Sequence, residues 1–204
     1  SAHSSRMSLE STVNSGGGDG KFCRLGRGDG ASTEKRNTDP GERSGMVWTV
    51  MPDFEEYDEA RDQFTWDLPS SYNPAVDFLR KHEDPDRVAL EQAYPDGRRE
   101  QYTFRELDQL SDRLAAGLAG LGVEAGDRVG VVVPQKPQNP IAHLANWKLG
   151  AVSVPLTVLF GTDALQYRLD DADTNVAIID PAVRDDIDAV RDACPALEHV
   201  VEIE

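Results

Sequence analysis

Apolar residues recur at helical spacing over residues 104–121, where Phe104, Leu107, Leu110, Leu114, Leu118 and Leu121 share one face. Thr103 precedes that stripe and Glu106 stands three residues on, the pair that satisfies two orphan amides at a helix start. Gly122 supplies the stop. The period then changes. Residues 128–133 read Arg-Val-Gly-Val-Val-Val between Gly126-Asp127 and Pro134, a short β-branched run that predicts a strand buried on both faces. Asn139 as cap and Pro140 at the first helical position predict a second helix over residues 141–149, ended by Gly150. Val152 and Val154 mark another strand. Gly161 or Thr162 opens a third helix through Leu169, and residues 176–179 form a third apolar strand. Asp180-Pro181 starts a fourth helix ending near Cys194-Pro195, and residues 199–203 return as a strand.

Upstream of this alternation the pattern weakens. Asn73-Pro74 caps a helix through Leu79, and residues 88–94 and 99–103, joined by Pro95-Asp96-Gly97-Arg98, predict a hairpin. Residues 46–71 are acidic and carry Phe54, Tyr57, Phe64 and Trp66, which predicts an extended arm with a short helix wrapped on the domain. Residues 1–45 are rich in Gly, Ser and Arg and lack periodicity, so no core is expected there and the segment reads as a disordered tail. The sharp change in composition at Met46 also suggests a true start at Met46 or Met51.

Several stretches carry recurring wording in a fixed order. Tyr102-Thr103-Phe104-Arg105-Glu106-Leu107, then Gly126-Asp127-Arg128-Val129, then residues 147–156 (Trp-Lys-Leu-Gly-Ala-Val-Ser-Val-Pro-Leu) and residues 160–169 fall in the order and spacing seen in adenylate-forming (AMP-binding) enzymes. Over residues 72–204 the chain resembles that superfamily, and its wording is most similar to acyl-CoA synthetases of the short- and medium-chain type. Luciferase-like and amino-acid-adenylating members are a weaker match. The resemblance implies an α/β fold. It would be the front part of the adenylate-forming large domain, with mostly parallel strands alternating with helices plus an N-terminal hairpin.

The same resemblance implies ATP, Mg²⁺ and coenzyme A as partners of a full-length member, with a small carboxylic acid as substrate. A carboxylate would attack ATP to give an acyl-adenylate, and a thioester with coenzyme A would follow. Relatives hold the phosphates with a Ser/Thr/Gly-rich loop ending in Lys and with a mobile C-terminal lid, and neither motif occurs in this sequence. No catalytic residue and no metal ligand is therefore assigned. Arg184, and Thr157 beside it in the same role, are candidates for contact with coenzyme A, because relatives place basic side chains and loop backbone at these two places. Arg184 also admits a simpler reading, as a surface cation balancing Asp185, Asp186 and Asp188.

Other motifs fail on their chemistry. Gly16-Gly17-Gly18-Asp19-Gly20-Lys21 suggests a phosphate loop, but Ser15 stands where the first Gly belongs and Phe22 where Ser or Thr belongs. Gly26-Arg27-Gly28-Asp29-Gly30-Ala31 imitates a dinucleotide turn without a good strand before it or helix after it. Arg27-Gly28-Asp29 has no extracellular context. His143 lacks ligand-spaced partners, Trp147 is expected in the core with Leu144, and Asp170, Asp171 and Asp173 read as a solvated cluster. Cys23 and Cys194 make neither a disulfide framework nor a zinc site.

Charge and length complete the picture. The chain of 204 residues has 21 basic and 37 acidic residues, for a net charge of −16, which disfavours nucleic acid and anionic membrane as partners. Residues 46–204 hold fourteen basic against thirty-one acidic residues, with three lysines to eleven arginines, a balance typical of proteins working in high cytoplasmic salt. At 1 M salt the screening length falls to ~3 Å, so such self-repulsion is tolerable there. No apolar run is long enough for a membrane span or a signal-peptide core, and a cytoplasmic location is expected. Members of the resembled family are more than twice as long. The chain is thus expected to be an N-terminal fragment, inactive alone, that could pair with the missing C-terminal part; the alternative is a non-catalytic interaction module or pseudogene relic, pairing through its last strand. Acyl substrate and oligomeric state lie beyond what these residues specify.

Overall fold

The computed structural model describes residues 21–25, 55–65 and 71–203, with side chains described from residue 55 onward. The loop-like motifs within residues 1–20 and 26–45, the two candidate start methionines and most of the arm lie outside the described residues. So does the side chain of Cys23.

Five strands form one parallel sheet: β1 (Lys21–Leu25), β4 (Arg128–Val132), β5 (Val152–Leu156), β6 (Val176–Ile179) and β7 (His199–Ile203), in the order β1-β7-β6-β4-β5. A separate antiparallel pair, β2 (Val88–Ala93) and β3 (Arg99–Thr103), makes the expected hairpin, with Gly97 at φ +84° in its turn. The front part of an α/β domain with its hairpin is therefore present as read from the sequence.

Strand alternation builds two cores. Val129, Val131, Val176, Ile178, Val201 and Ile203 face α3 (Phe104–Gly120) and α4 (Gln138–Leu149). Val132, Ala177, Ile179 and Val200 face α5 (Thr162–Asp171) and α6 (Arg184–Val190) on the opposite side. Both faces of the central strands are covered, which explains why β4 and β6 read as continuous apolar runs. Each such Val or Ile contributes about 1.5–3 kcal/mol by burial. At Gly130 an added Cβ would lie 3.2 Å from Leu169 and 3.3 Å from Thr174, so the glycine lets α5 close on the sheet.

Helix ends follow the local signals in most places. Thr103 Oγ1 accepts from the Glu106 amide and the Glu106 carboxylate accepts from the Thr103 amide, completing the capping box. Gly150 closes α4 in the left-handed conformation at φ +74°. Asn73 caps α2 (Pro74–Arg80) through Oδ1, while its Nδ2 donates to Trp147 O at 2.8 Å, at the end of α4.

Five local expectations differ from the structure. α4 starts at Gln138 with Pro137 as its cap residue, and Asn139 instead donates to Val133 O at 2.7 Å, tying the helix to the end of β4. The fourth helix is interrupted, with 3-10 turns at Pro181–Val183 and Arg191–Ala193 flanking α6. Trp147 is 38% exposed rather than core, because the buried arc of α4 is already filled by Ile141, Ala142, Leu144 and Ala145. α1 (Tyr57–Gln63) has no buried residue, so this part of the arm adds nothing to the core. Lys21–Leu25, read as a poor strand, pairs with β7 throughout, since an open parallel edge offers amides and carbonyls that any extended segment can satisfy. β7 is consequently an inner strand, not the open last strand on which the interaction-module alternative relied.

Candidate functional site at the carboxyl edge of the sheet

In open parallel sheets ligands bind beyond the carboxyl ends of the strands, where the strand order reverses. Here that place is fixed by β4. The chain leaves β4 toward β5 on one side and returns to β6 on the other. Three segments rise there: residues 134–139 after β4, residues 157–161 after β5, and residues 180–184 after β6.

Two ion pairs dominate this edge. Lys136 Nζ binds Asp180 Oδ2, and Arg184 Nε donates to Glu202 Oε2 at 2.5 Å. The carboxylates are the buried members, with side chains 6% and 8% exposed, whereas Lys136 is 46% and Arg184 32% exposed. Asp180 is fixed further, since Oδ1 accepts from the Ala182 amide at 3.0 Å and its own amide donates to Val132 O at 2.9 Å. The Glu202 hydrogen bond holds the Arg184 guanidinium above its ordinary pKa, against the opposing effect of burial. The Arg184 guanidinium stays charged at any physiological pH.

Thr157 is exposed in the loop after β5, where its Oγ1 accepts from the Leu159 amide at 3.3 Å. Leu159 itself is 88% exposed, and Arg168 lies over the Phe160 ring at 4.1 Å. Thr157 and Arg184 thus share one edge but stand on opposite sides of β4. Arg184 bonds Glu202 on β7, eighteen residues away, and the neighbouring Asp188 and Asp185 add smaller electrostatic contributions. Lys136, Asp180 and Glu202 were not singled out by sequence as site residues. A signal existed for Glu202, which shares the inward parity of Val200 in a strand that otherwise reads apolar.

The remaining candidates are structural. His143 is half-buried, its Nδ1 lies 2.6 Å from Ser153 Oγ, and its ring stacks on Trp147. Burial lowers its pKa, so the ring is neutral near pH 7. Asp173 adopts φ +46° beside Arg128 at 3.5 Å, and among the described residues no group of three or more His, Cys, Asp or Glu could hold a metal ion. Cys194 is a free, buried thiol, and no helix among the described residues is long and apolar enough to cross a membrane.

The family of AMP-binding enzymes matches residues 79–204, well over half of the chain. This chain belongs to that family. It is 33% identical over 133 residues to acetyl-coenzyme A synthetase of Bacillus subtilis, covering 63% of this chain and 23% of the relative. It is 31% identical over 176 residues to the mitochondrial acetyl-coenzyme A synthetase 2-like protein of Homo sapiens, covering 79% of this chain and 25% of the relative. Among solved structures, the anthranilate CoA ligase AuaEII in complex with anthranoyl-AMP superposes with a TM-score of 0.59 at 31% identity, covering 67% of this chain and 26% of that one. The chain thus spans about a quarter of the length of these AMP-binding relatives. The homology is to ATP-dependent acyl- and acetyl-CoA synthetases, as the sequence signatures implied.

Proposed function

We propose that this chain is the front of the large domain of an ATP-dependent acyl-CoA synthetase for short- or medium-chain acids, and that it does not catalyse alone. In that reaction a carboxylate oxygen attacks the α-phosphorus of ATP and pyrophosphate leaves. The thiol of coenzyme A then attacks the acyl carbon and displaces AMP. The observation that carries this reading is the family match over residues 79–204 on a parallel sheet whose carboxyl edge is intact.

This chain's share of the chemistry is scaffold and part of the coenzyme A surface. Arg184 suits a phosphate because a guanidinium can fork to two oxygens, and Thr157 lies in the loop where backbone would approach the pantetheine arm. Groups for Mg²⁺ and the ATP phosphates are assigned to the rest of the family's length. Binding of ATP, Mg²⁺ and coenzyme A by the chain alone is therefore weak. We assign residues 1–45 to a tail apart from β1, which pairs with β7, residues 46–71 to an acidic arm and 72–204 to the incomplete AMP-binding unit. A cytoplasmic, high-salt setting in fatty acid metabolism fits the acid-rich body, and a complementary C-terminal part is the natural partner.

Carboxylate-dependent exchange of labelled pyrophosphate into ATP tests this directly. None is expected from the chain alone, and activity is expected once the remaining length of a family member is joined to it. Robust exchange by the 204-residue chain would refute the fragment reading.

A further inference from the structure

The seam between α4 and β5 holds a polar cluster that the ligase chemistry does not use. Its surroundings are apolar, with Val129 and Val131 on β4 and Ile141, Leu144 and Ala145 on α4. Three polar side chains nevertheless meet there. Asn146 is 0% exposed and donates through Nδ2 to Ser153 Oγ at 2.9 Å, and the same oxygen lies 2.6 Å from His143 Nδ1. Asn146 Oδ1 is buried without a hydrogen-bond partner among the described residues. An acceptor left unpaired in a core is costly.

The protons of the cluster give that oxygen a use. With His143 neutral, Ser153 accepts from Asn146 and donates its own proton to His143 Nδ1, so the ring proton sits on Nε2. A second ring proton makes Nδ1 a donor. Ser153 Oγ then receives hydrogens from both His143 and Asn146, and its hydroxyl proton loses its acceptor. The unpaired acceptor of the cluster is Asn146 Oδ1. Half a turn of the amide brings Oδ1 to the place of Nδ2, and the chain of bonds then runs from His143 through Ser153 to Asn146.

We propose that His143, Ser153 and Asn146 form a proton-driven switch, in which protonation of His143 reverses the hydrogen bonds through Ser153 and flips the buried Asn146 amide. The charges around it are engaged elsewhere. Lys148 on α4 is held by Asp108 and Asp112 of α3, and Arg128 on β4 is paired with Asp173. On α2, Arg80 is paired with Asp108 and Asp77 with Lys81, and β5 carries no charged residue. Burial is what lowers the His143 pKa, so the charged state is reached on mild acidification. The switch sits where it can act on the fold, because Ser153 bonds the end strand of the sheet to α4 and the Asn146 carbonyl accepts from the Ala151 amide at 2.9 Å in the turn between them.

The isotope-labelled 204-residue chain is titrated from about pH 8 to 5 by NMR, following the His143 ring nitrogens and the Asn146 side-chain amide. Neutral His143 should carry its proton on Nε2, and the Asn146 amide protons should shift with the same midpoint as the ring. The opposite tautomer, or Asn146 protons that stay fixed while His143 titrates, overturns the switch. Asn146→Leu decides the sign. Where the amide supplies the acceptor that the charged state needs, its removal hinders protonation and should lower the His143 midpoint by about one pH unit, a tenfold change, the worth of one charge-assisted hydrogen bond. Where Asn146 is only a fixed donor, its loss frees Ser153 Oγ for the imidazolium; a raised or unchanged midpoint therefore overturns the proposal. Should Asn146→Leu lose its native amide dispersion, Ser153→Ala cuts the relay instead. His143 should then titrate without any response from the Asn146 protons, and a response that persists refutes the switch.

Discussion

Two ion-pair systems in this molecule use the same chemistry with opposite polarity. Where α2, α3 and α4 meet, Lys148 Nζ reaches Asp108 Oδ1 at 2.6 Å and Asp112 Oδ1 at 2.7 Å, and Arg80 bonds Asp108 through two nitrogens at 3.0 and 3.1 Å. The buried charge is positive and the face shown to water is largely acidic. At the carboxyl edge the buried charges are Asp180 and Glu202, and the face shown to water is basic. A more exposed cation on a less exposed carboxylate also occurs at Lys81–Asp77 and Arg98–Glu100, so the buried Lys148 is the departure from the common arrangement. Burial depth, not the number of ion pairs, separates the two systems.

Deleting an outer cation should separate the systems most sharply. Arg184→Ala strands a buried carboxylate and is expected to cost about 3 kcal/mol in urea unfolding. Arg80→Ala leaves Asp108 held by Lys148 and should cost about 1 kcal/mol. Equal losses would break the comparison. Much of the Arg184→Ala loss should return in Arg184→Ala/Glu202→Leu, where no carboxylate remains to be buried.

Acid should act on the helical network next. Burial raises the Asp108 pKa, but hydrogen bonds from Arg80 and Lys148 outweigh it and hold the carboxyl below its ordinary value. A depressed folded pKa gives stability that is present above the unfolded pKa near 4 and is lost as pH falls through the folded value. Asp108→Asn should therefore flatten the stability slope below about pH 4, by about 1 kcal/mol. An unchanged slope would mean that other carboxylates control acid unfolding.

Salt offers a finer discrimination. Raising KCl to 1 M shortens screening to ~3 Å and should shrink the Arg80→Ala cost by a few tenths of a kcal/mol. The Arg184→Ala cost should hold, since its partner is shielded from solvent by burial. Parallel declines in both would place the two systems in the same environment.

The smallest effect belongs to His143, outside either system. Burial lowers its pKa, so the unfolded chain takes up its proton first and stability declines as pH falls through about 6.5. His143→Gln should remove that decline between pH 7 and 5 while leaving the Asp108 step untouched. A decline that persists would assign it to another group.

The sequence carried the elements that depend on near neighbours. The Thr103–Glu106 capping box, the Gly150 stop and the hairpin turn at Gly97 each lie within a few residues of their partners, and each appears in the structure. What it concealed depends on distance along the chain. Arg184 was weighed against Asp185, Asp186 and Asp188, but the fold delivers Glu202 from another strand. Lys136 carried no signature because its meaning comes from Asp180, forty-four residues on. Asn139 has good cap chemistry, yet the carbonyl of Val133 claims its amide and the helix begins earlier. Trp147 stays 38% exposed, which reflects its place at the border of α4 rather than its hydrophobicity.

Asn73 joins two distant helix ends through one side chain. Its oxygen receives the first amides of α2 and its nitrogen caps a carbonyl at the end of α4. Fraying at either terminus removes a partner from the other, although seventy-four residues separate them along the chain. In native-state hydrogen exchange, the opening of α2 and of the last turn of α4 should thus be a single cooperative event, stitched by one amide.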